Sequence, residues 1–281
     1  MIIFSNDGYT DQIKHLWKEA FSDTDESVDF YFSQIHKNEN MLIDVEDGKV
    51  RAMLTMHPIK LSLEDKVVSG RYIYAVATRA DMRGQGISSR LLEYAHGYMR
   101  EQNISVSLLV PATEELFDFY EKRRYKKAFL ISEKIYDAKD IEKPNQLYTY
   151  DDCTPKEYYE IRKKAFLDVS SFAFWEEEML SKIMGYARFF GAQFYKISTS
   201  DCTFAMYVTI NGDEAFVHEL ALATMPIDDA MRIIHEIIGA KTYTARTSAD
   251  KNDNIKDYAM VCNLKDEDIE LNNAYFNLAM E

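Results

Sequence analysis

The stretch Arg71-Tyr72-Ile73-Tyr74-Ala75-Val76-Ala77-Thr78, followed by Arg79-Ala80-Asp81-Met82 and then Arg83-Gly84-Gln85-Gly86-Ile87-Ser88-Ser89, decides how this chain folds. Residues 72–78 form a strongly apolar run, rich in aromatic and β-branched side chains, as a central strand requires. Residues 88–102 then place Leu91, Leu92, Ala95 and Met99 on one face at helical spacing. The loop between them carries Arg and Gly. Successive backbone N–H groups of such a loop point inward, and the helix N-terminus adds partial positive charge, so together they can hold a pyrophosphate. Glycine keeps side chains away from the phosphates and permits a positive φ. Ser88 and Ser89 can donate hydroxyls. By spacing alone, an ordinary strand-to-helix turn is the favoured reading of a lone Gly-x-Gly. A dinucleotide fingerprint is excluded because GxGxxG is absent, and a Walker A loop because no Gly-Lys-Ser/Thr occurs.

Working outward, residues 9–21 read as an amphipathic helix with Thr10 as its cap and Ile13, Leu16, Trp17 and Phe21 on one face. Residues 27–35 read as a second helix. Residues 41–45 and 50–59 are strands joined by Glu46-Asp47-Gly48-Lys49, a tight hairpin turn, and residues 61–68 suggest another short hairpin. Downstream, residues 104–110 are a near-continuous apolar strand, as expected where both sheet faces are covered. A helix over 114–123 and a closing strand over 127–136 follow. Lys143-Pro144-Asn145-Gln146 marks the boundary, giving domains 1–140 and 146–281. The second half reads as helices over 155–167, 175–184 and 227–238, with strands over 191–198, 204–210, 214–223 and 241–247. Its order of strand, loop, helix and strand echoes the first half, although its loop, Ala223-Thr224-Met225-Pro226, has no glycine. A degenerate repeat and a chance likeness of two α+β segments both fit that echo.

The chain has 281 residues, 47% of them hydrophobic and 28% charged, which suits a packed protein of two domains. A net charge of −14 argues against nucleic acid as a partner and is compatible with a cationic amine substrate. Cys153, Cys202 and Cys262 are far apart and odd in number, and no two histidines are spaced i, i+4. Neither a disulfide framework nor a metal site is expected, and a reducing cytoplasm fits best. No signal peptide and no membrane-spanning run is read from the sequence.

The loop resembles motif A of the GNAT superfamily of N-acetyltransferases, Arg/Gln-x-x-Gly-x-Gly/Ala, with Arg83, Gly86 and Ser88 at the marked positions and Ser88 in place of Gly or Ala. A later motif of that family, ending Phe-Tyr-Glu-Lys-Leu-Gly-Phe, resembles Phe119-Tyr120-Glu121-Lys122-Arg123-Arg124-Tyr125, in which Arg124 replaces the glycine. The resemblance covers about the first 140 residues. It implies an α+β GNAT fold, a mixed and mostly antiparallel sheet flanked by helices, followed by a second degenerate GNAT-like unit that shapes the acceptor site. Pro111, Glu114-Glu115 and that second unit resemble the enhanced-intracellular-survival branch of tandem GNAT proteins, without its third domain.

That resemblance further implies acetyl-CoA as co-substrate and no metal. Val76, Ala77 and Thr78 would hold the pantetheine arm through their backbone, and Arg83, Gly84, Gln85, Gly86, Ile87, Ser88 and Ser89 would hold the pyrophosphate. Tyr120 would act as general acid on the departing thiolate; read from its residues alone, it is equally a core aromatic of an amphipathic helix. The expected activity is transfer of an acetyl group to a primary amine, on a small molecule or a peptide, by direct attack in a ternary complex. His57, Tyr74, Glu115 and the C-terminal carboxylate at Glu281 are conceivable bases, each with a structural alternative. The alternative function is a catalytically weak acyl-CoA-binding or regulatory module.

Overall fold

The computed structural model describes every residue except 65, 167–170, 250–253, 266–268, 270, 272–273 and 281. The chain divides into two compact units. The first is Met1–Leu61 with Asp65–Lys127 and Ala259–Glu270; the second is Ser62–Glu64 with Ala128–Tyr258 and Leu271–Glu281.

The first unit starts with β1 (Ile2–Phe4), α1 (Thr10–Phe21), α2 (Asp25–Gln34), β2 (Met41–Glu46), β3 (Lys49–Ser62), β4 (Val67–Thr78), α3 (Ile87–Glu101), β5 (Val106–Leu109) and α4 (Glu114–Glu121). The chain then enters the second unit through β6 (Lys126–Asp137), β7 (Tyr148–Asp152), α5 (Pro155–Ala165), β8 (Phe172–Phe174), α6 (Glu177–Phe189), β9 (Gln193–Thr199), β10 (Thr203–Asn211), β11 (Glu214–Ala221), α7 (Ile227–Ile238) and β12 (Thr242–Ser248). The last strand, β13 (Ile255–Asn263), brings it back.

Strand order in the first unit is β1-β2-β3-β4-β5-β13, with β4 and β5 parallel and β13 antiparallel to β5 through Met260↔Leu109 to Asn263↔Val106. In the second unit the order is β7-β9-β10-β11-β12-β6, with β11 and β12 parallel and the other neighbours antiparallel. Each unit therefore places one parallel pair, crossed by one helix, next to an antiparallel last strand. The echo read from the sequence corresponds to β4, α3 and β5 in one unit and β11, α7 and β12 in the other.

The sequence-based division differs from the observed one. The strand after α4 was expected to close the first domain, but from Ala128 onward it lies in the second unit, paired with β12. Met260 to Asn263 take the vacant place beside β5. Strand propensity is local, whereas the choice of partner is not. Residues 61–68 are not a separate hairpin but the tip shared by β3 and β4. Thr10 is not a cap either: a 3₁₀ turn over Asp7–Tyr9 runs directly into α1, so Thr10 is already helical and Tyr9 stands at the cap position.

On one face of the first sheet, Leu42, Ala52, Leu54, Met56 and Ile73 pack against Ile87, Leu91, Leu92, Ala95 and Met99 of α3 and Phe117 and Tyr120 of α4. Burying each such aliphatic side chain contributes about 1.5–3 kcal/mol. Because strand side chains alternate, the other face presents His57, Tyr72 and Tyr74, in ring contact with one another and with α1 and α2. Trp17 lies 4.5 Å from Tyr31 and 5.7 Å from Tyr74.

Candidate active site

β4 and β5 pair only briefly, from Gly70↔Val106 to Tyr72↔Leu108. Three residues further along β4, Ala75 takes φ 51°. A left-handed backbone costs an L-residue about 1–2 kcal/mol, and such irregularity bends a strand away from its neighbour. β4 continues to Thr78, so Val76, Ala77 and Thr78 lie beyond its ladder with β5. Val76 is half-buried against the α3 core, Ala77 is buried, and the Thr78 carbonyl accepts from Arg83 Nε at 3.2 Å. A strand edge without its ladder offers backbone donors and acceptors to an extended, amide-bearing ligand.

The loop that follows is shaped by two left-handed glycines, Gly84 at φ 78° and Gly86 at φ 71°. A Cβ at Gly84 would meet nothing within 4 Å, and one at Gly86 only Arg90 Nη1 at 3.7 Å. Backbone conformation rather than crowding within the protein makes glycine the fitting residue here. Gly86 is the N-cap of α3 and no side chain caps the helix, which leaves the amides of its first turn, Ile87, Ser88 and Ser89, to an outside acceptor. Ile87 itself is buried, whereas Gln85 is exposed and its carbonyl accepts from Arg90 Nη1 at 2.9 Å.

Arg90 and Arg123 contact this terminus, and Arg83 stands in the loop before it. Arg123 donates through Nε to Ser89 Oγ at 3.0 Å and through Nη2 to the same oxygen, while Nη1 donates to the Phe119 carbonyl. Its guanidinium lies 3.4 Å from the centre of the Phe119 ring. Among the described residues none of these three arginines has a carboxylate partner. Arg51, Arg79, Arg162, Arg188, Arg232 and Arg246 are all ion-paired. In a chain of net charge −14, the α3 terminus is thus a spot of unneutralised positive charge.

Tyr120 projects from α4 into the same core, 7% exposed, edge-on to Phe119 at 5.1 Å and to Tyr125 at 5.6 Å. Its hydroxyl makes no hydrogen bond among the described residues. Burial pushes its pKa up to about 12, opposed by the nearby Arg123 cation. The phenol is therefore protonated at neutral pH and has a proton to give. The turn after α4 keeps its glycine-like form, because Arg124 itself adopts φ 70°, with Tyr125 N–H donating to the Tyr120 carbonyl at 3.2 Å.

Sequence reasoning missed two features. One is Arg123, whose signal was a cation where the motif has leucine. The other is a buried chain in which the Tyr125 hydroxyl meets His96 Nε2 at 3.0 Å and Ser107 Oγ at 2.7 Å, tying α3, β5 and the turn after α4 together. Of the conceivable bases, His57 is buried against the Tyr31 hydroxyl at 2.9 Å, and Tyr74 lies in the aromatic cluster. Glu115 is exposed and held below the usual carboxylate range by the Thr113 hydroxyl, which makes it a poorer base. Glu281 lies outside the described residues.

The family model of the acetyltransferase (GNAT) domain matches residues 2–128. Those residues are a GNAT acetyltransferase domain. Solved structures extend the likeness over nearly the whole chain. A probable N-acyltransferase from Enterococcus faecalis is 14% identical, with a TM-score of 0.74 over 94% of this chain and 72% of that one. A GCN5-related N-acetyltransferase from Anabaena variabilis is 15% identical, with a TM-score of 0.77 over 94% and 73%. Eis1 from Mycobacterium abscessus is 10% identical, with a TM-score of 0.68 over 94% and 74%. At these identities the likeness is one of fold. No curated protein matches the sequence.

The GNAT family generally uses acetyl-CoA. The first unit presents an open strand edge, a helix N-terminus with no side-chain cap and, among the described residues, arginines without a carboxylate partner. Among the described residues no group of three or more His, Cys, Asp or Glu side chains could hold a metal ion, and no helix is long and apolar enough to cross a membrane. A separate cavity of about 520 Å³ lies between α1 and the start of β3, lined by Asp11, His15, Glu19, Lys49 and Arg79. It is remote from Tyr120, which packs on the opposite face of the sheet from α1.

Proposed function

We propose that the GNAT domain transfers an acetyl group from acetyl-CoA to a primary amine. The observation that carries this reading is the uncapped, unneutralised N-terminus of α3 in the same core as a protonated Tyr120 whose hydroxyl has no hydrogen-bond partner among the described residues. The amides of Ile87, Ser88 and Ser89, with Arg83, would hold the pyrophosphate, and the open edge over Val76, Ala77 and Thr78 the pantetheine arm. A neutral amine attacks the thioester carbonyl. The C–N bond forms as the C–S bond breaks, Tyr120 gives its proton to sulfur, and the amine loses one to water. A backbone N–H near Val76 or Ala77 would stabilise the charge that develops on the carbonyl oxygen.

With a pKa of about 12, Tyr120 is a weaker acid than a thiol, so its contribution falls at the low end of general acid catalysis, about a hundredfold. Tyr120→Phe should lower kcat and kcat/KM together by that factor and leave the affinity for acetyl-CoA intact. Calorimetric titration should give one acetyl-CoA site per chain, abolished in Gly86→Glu. Undiminished turnover in Tyr120→Phe would reduce the tyrosine to a packing residue, and two equivalent sites would contradict a degenerate second unit. The sequestered His57 and weakly basic Glu115 favour a second reading, a binding module with little turnover. Saturable CoA binding without acetylation of any amine in a broad panel would select it.

A further inference from the structure

We infer that Arg123, together with the Ser89 hydroxyl it holds, is a further cofactor-binding residue that recognises the phosphates of the acyl donor's nucleotide end. This rests on the acetyl-CoA reading above and names a residue that motif A does not contain. Ser89 sits in the first turn of α3, three residues beyond the Gly86 cap. A hydroxyl has two acceptor lone pairs and one hydrogen. Arg123 supplies two donors to that oxygen, Nε and Nη2, so the hydrogen of Ser89 is left to donate to another acceptor.

The guanidinium is itself incompletely used. Three of its nitrogens engage Ser89 and the Phe119 carbonyl, one N–H each, which leaves two of five N–H donors. Stacking on Phe119 fixes its plane and so removes much of the side-chain entropy that binding would otherwise cost. It is partly buried without a carboxylate, and burial draws its pKa downward, an environment that an anion would relieve. A rigid, partly desolvated, unpaired guanidinium beside an uncapped helix N-terminus is the arrangement that recognises phosphate oxygens. The leucine of the family motif at this position would fill the same space between α4 and α3 with no charge.

The test compares the wild type with Arg123→Leu and Arg123→Lys, measuring the affinity for CoA against salt concentration and the turnover of acetyl-CoA and of acetyl-pantetheine, which lacks the nucleotide. Arg123→Leu should weaken CoA on the order of tenfold and flatten the slope of log affinity against log salt by about one. Arg123→Lys should keep most of that slope. The loss should fall on the KM for acetyl-CoA, and the KM for acetyl-pantetheine should be unchanged in both. Ser89→Ala provides a variant that leaves the α3–α4 packing in place, and should also weaken CoA without touching acetyl-pantetheine. Unaltered CoA affinity and salt slope would overturn the inference. So would an equal loss with acetyl-pantetheine, which would make Arg123 a support for Tyr120 instead. A wild type that binds no CoA refutes the acetyl-CoA reading and this inference with it, whereas wild-type binding with unaffected variants refutes this one alone.

Discussion

His96 gives the first unit a defined sensitivity to acid. It lies on the inner face of α3, 6% exposed, with Nε2 at 3.0 Å from the Tyr125 hydroxyl. Burial, reinforced by the Arg100 and Arg124 cations, lowers its pKa from 6.5 to about 4. The unfolded chain therefore binds a proton between those values that the folded chain refuses, so stability rises with pH across that window and falls as pH drops through it. At about 1.4 kcal/mol per pKa unit, a drop from 6.5 to about 4 corresponds to roughly 3 kcal/mol lost between pH 7 and pH 4. That is a large part of the about 5–15 kcal/mol that keeps a domain folded. Carboxylates titrate in the same range, so the measurement is a difference: urea unfolding of wild type and His96→Leu at half-unit steps from pH 7.5 to pH 4. Leucine removes the titrating ring while Ser107 still partners the Tyr125 hydroxyl. The wild-type curve should fall more steeply, by roughly 3 kcal/mol over the window, whatever the offset between the two at pH 7.5. Parallel curves would show that His96 takes its proton without leaving its place, and would refute the reasoning.

Two further outcomes follow from the fold. A fragment ending at residue 140 lacks the strand that covers β5, whose residues are all buried and pair with Met260 to Asn263. It should show no cooperative thermal transition, and a sharp one would refute the pairing as a requirement for the first unit. Arg124→Gly relieves a left-handed arginine, worth about 1–2 kcal/mol, against a gain in unfolded-chain freedom of about 0.5–1 kcal/mol. The variant should be neutral or more stable by up to about 1.5 kcal/mol, and a Tm lowered by several degrees would show that the exposed side chain contributes more than its backbone conformation costs.

The β4 strand, the glycine loop and α3 were legible because each is written in adjacent residues. The apolar run before Arg79, the glycines at 84 and 86 and the apolar positions of α3 specify strand, left-handed loop and helix within thirty residues or so, and no distant partner is needed to complete them. What escaped was non-local or chemically disguised. The pattern in 127–136 announces a strand but not that its partner is β12, because period-two alternation fixes which face is buried and leaves the neighbour open. The strand over Ile255–Asn263 lies some 150 residues from the β5 edge it covers, a separation no local window spans. Ala75 and Arg124 hold left-handed backbones without the glycine that would have flagged them, which means the surrounding packing, and not local preference, imposes those bends. His96 falls at the same helical spacing as Leu92, Ala95 and Met99, so periodicity reads it as one more inward position. Its chemistry appears only when Tyr125 and Ser107, from two other elements, arrive within hydrogen-bond distance. The same holds for Arg123. In sequence it is one more basic residue in a run of basic residues, and its meaning as a cation without an acid depends on which helix end it meets, which is a property of the folded chain.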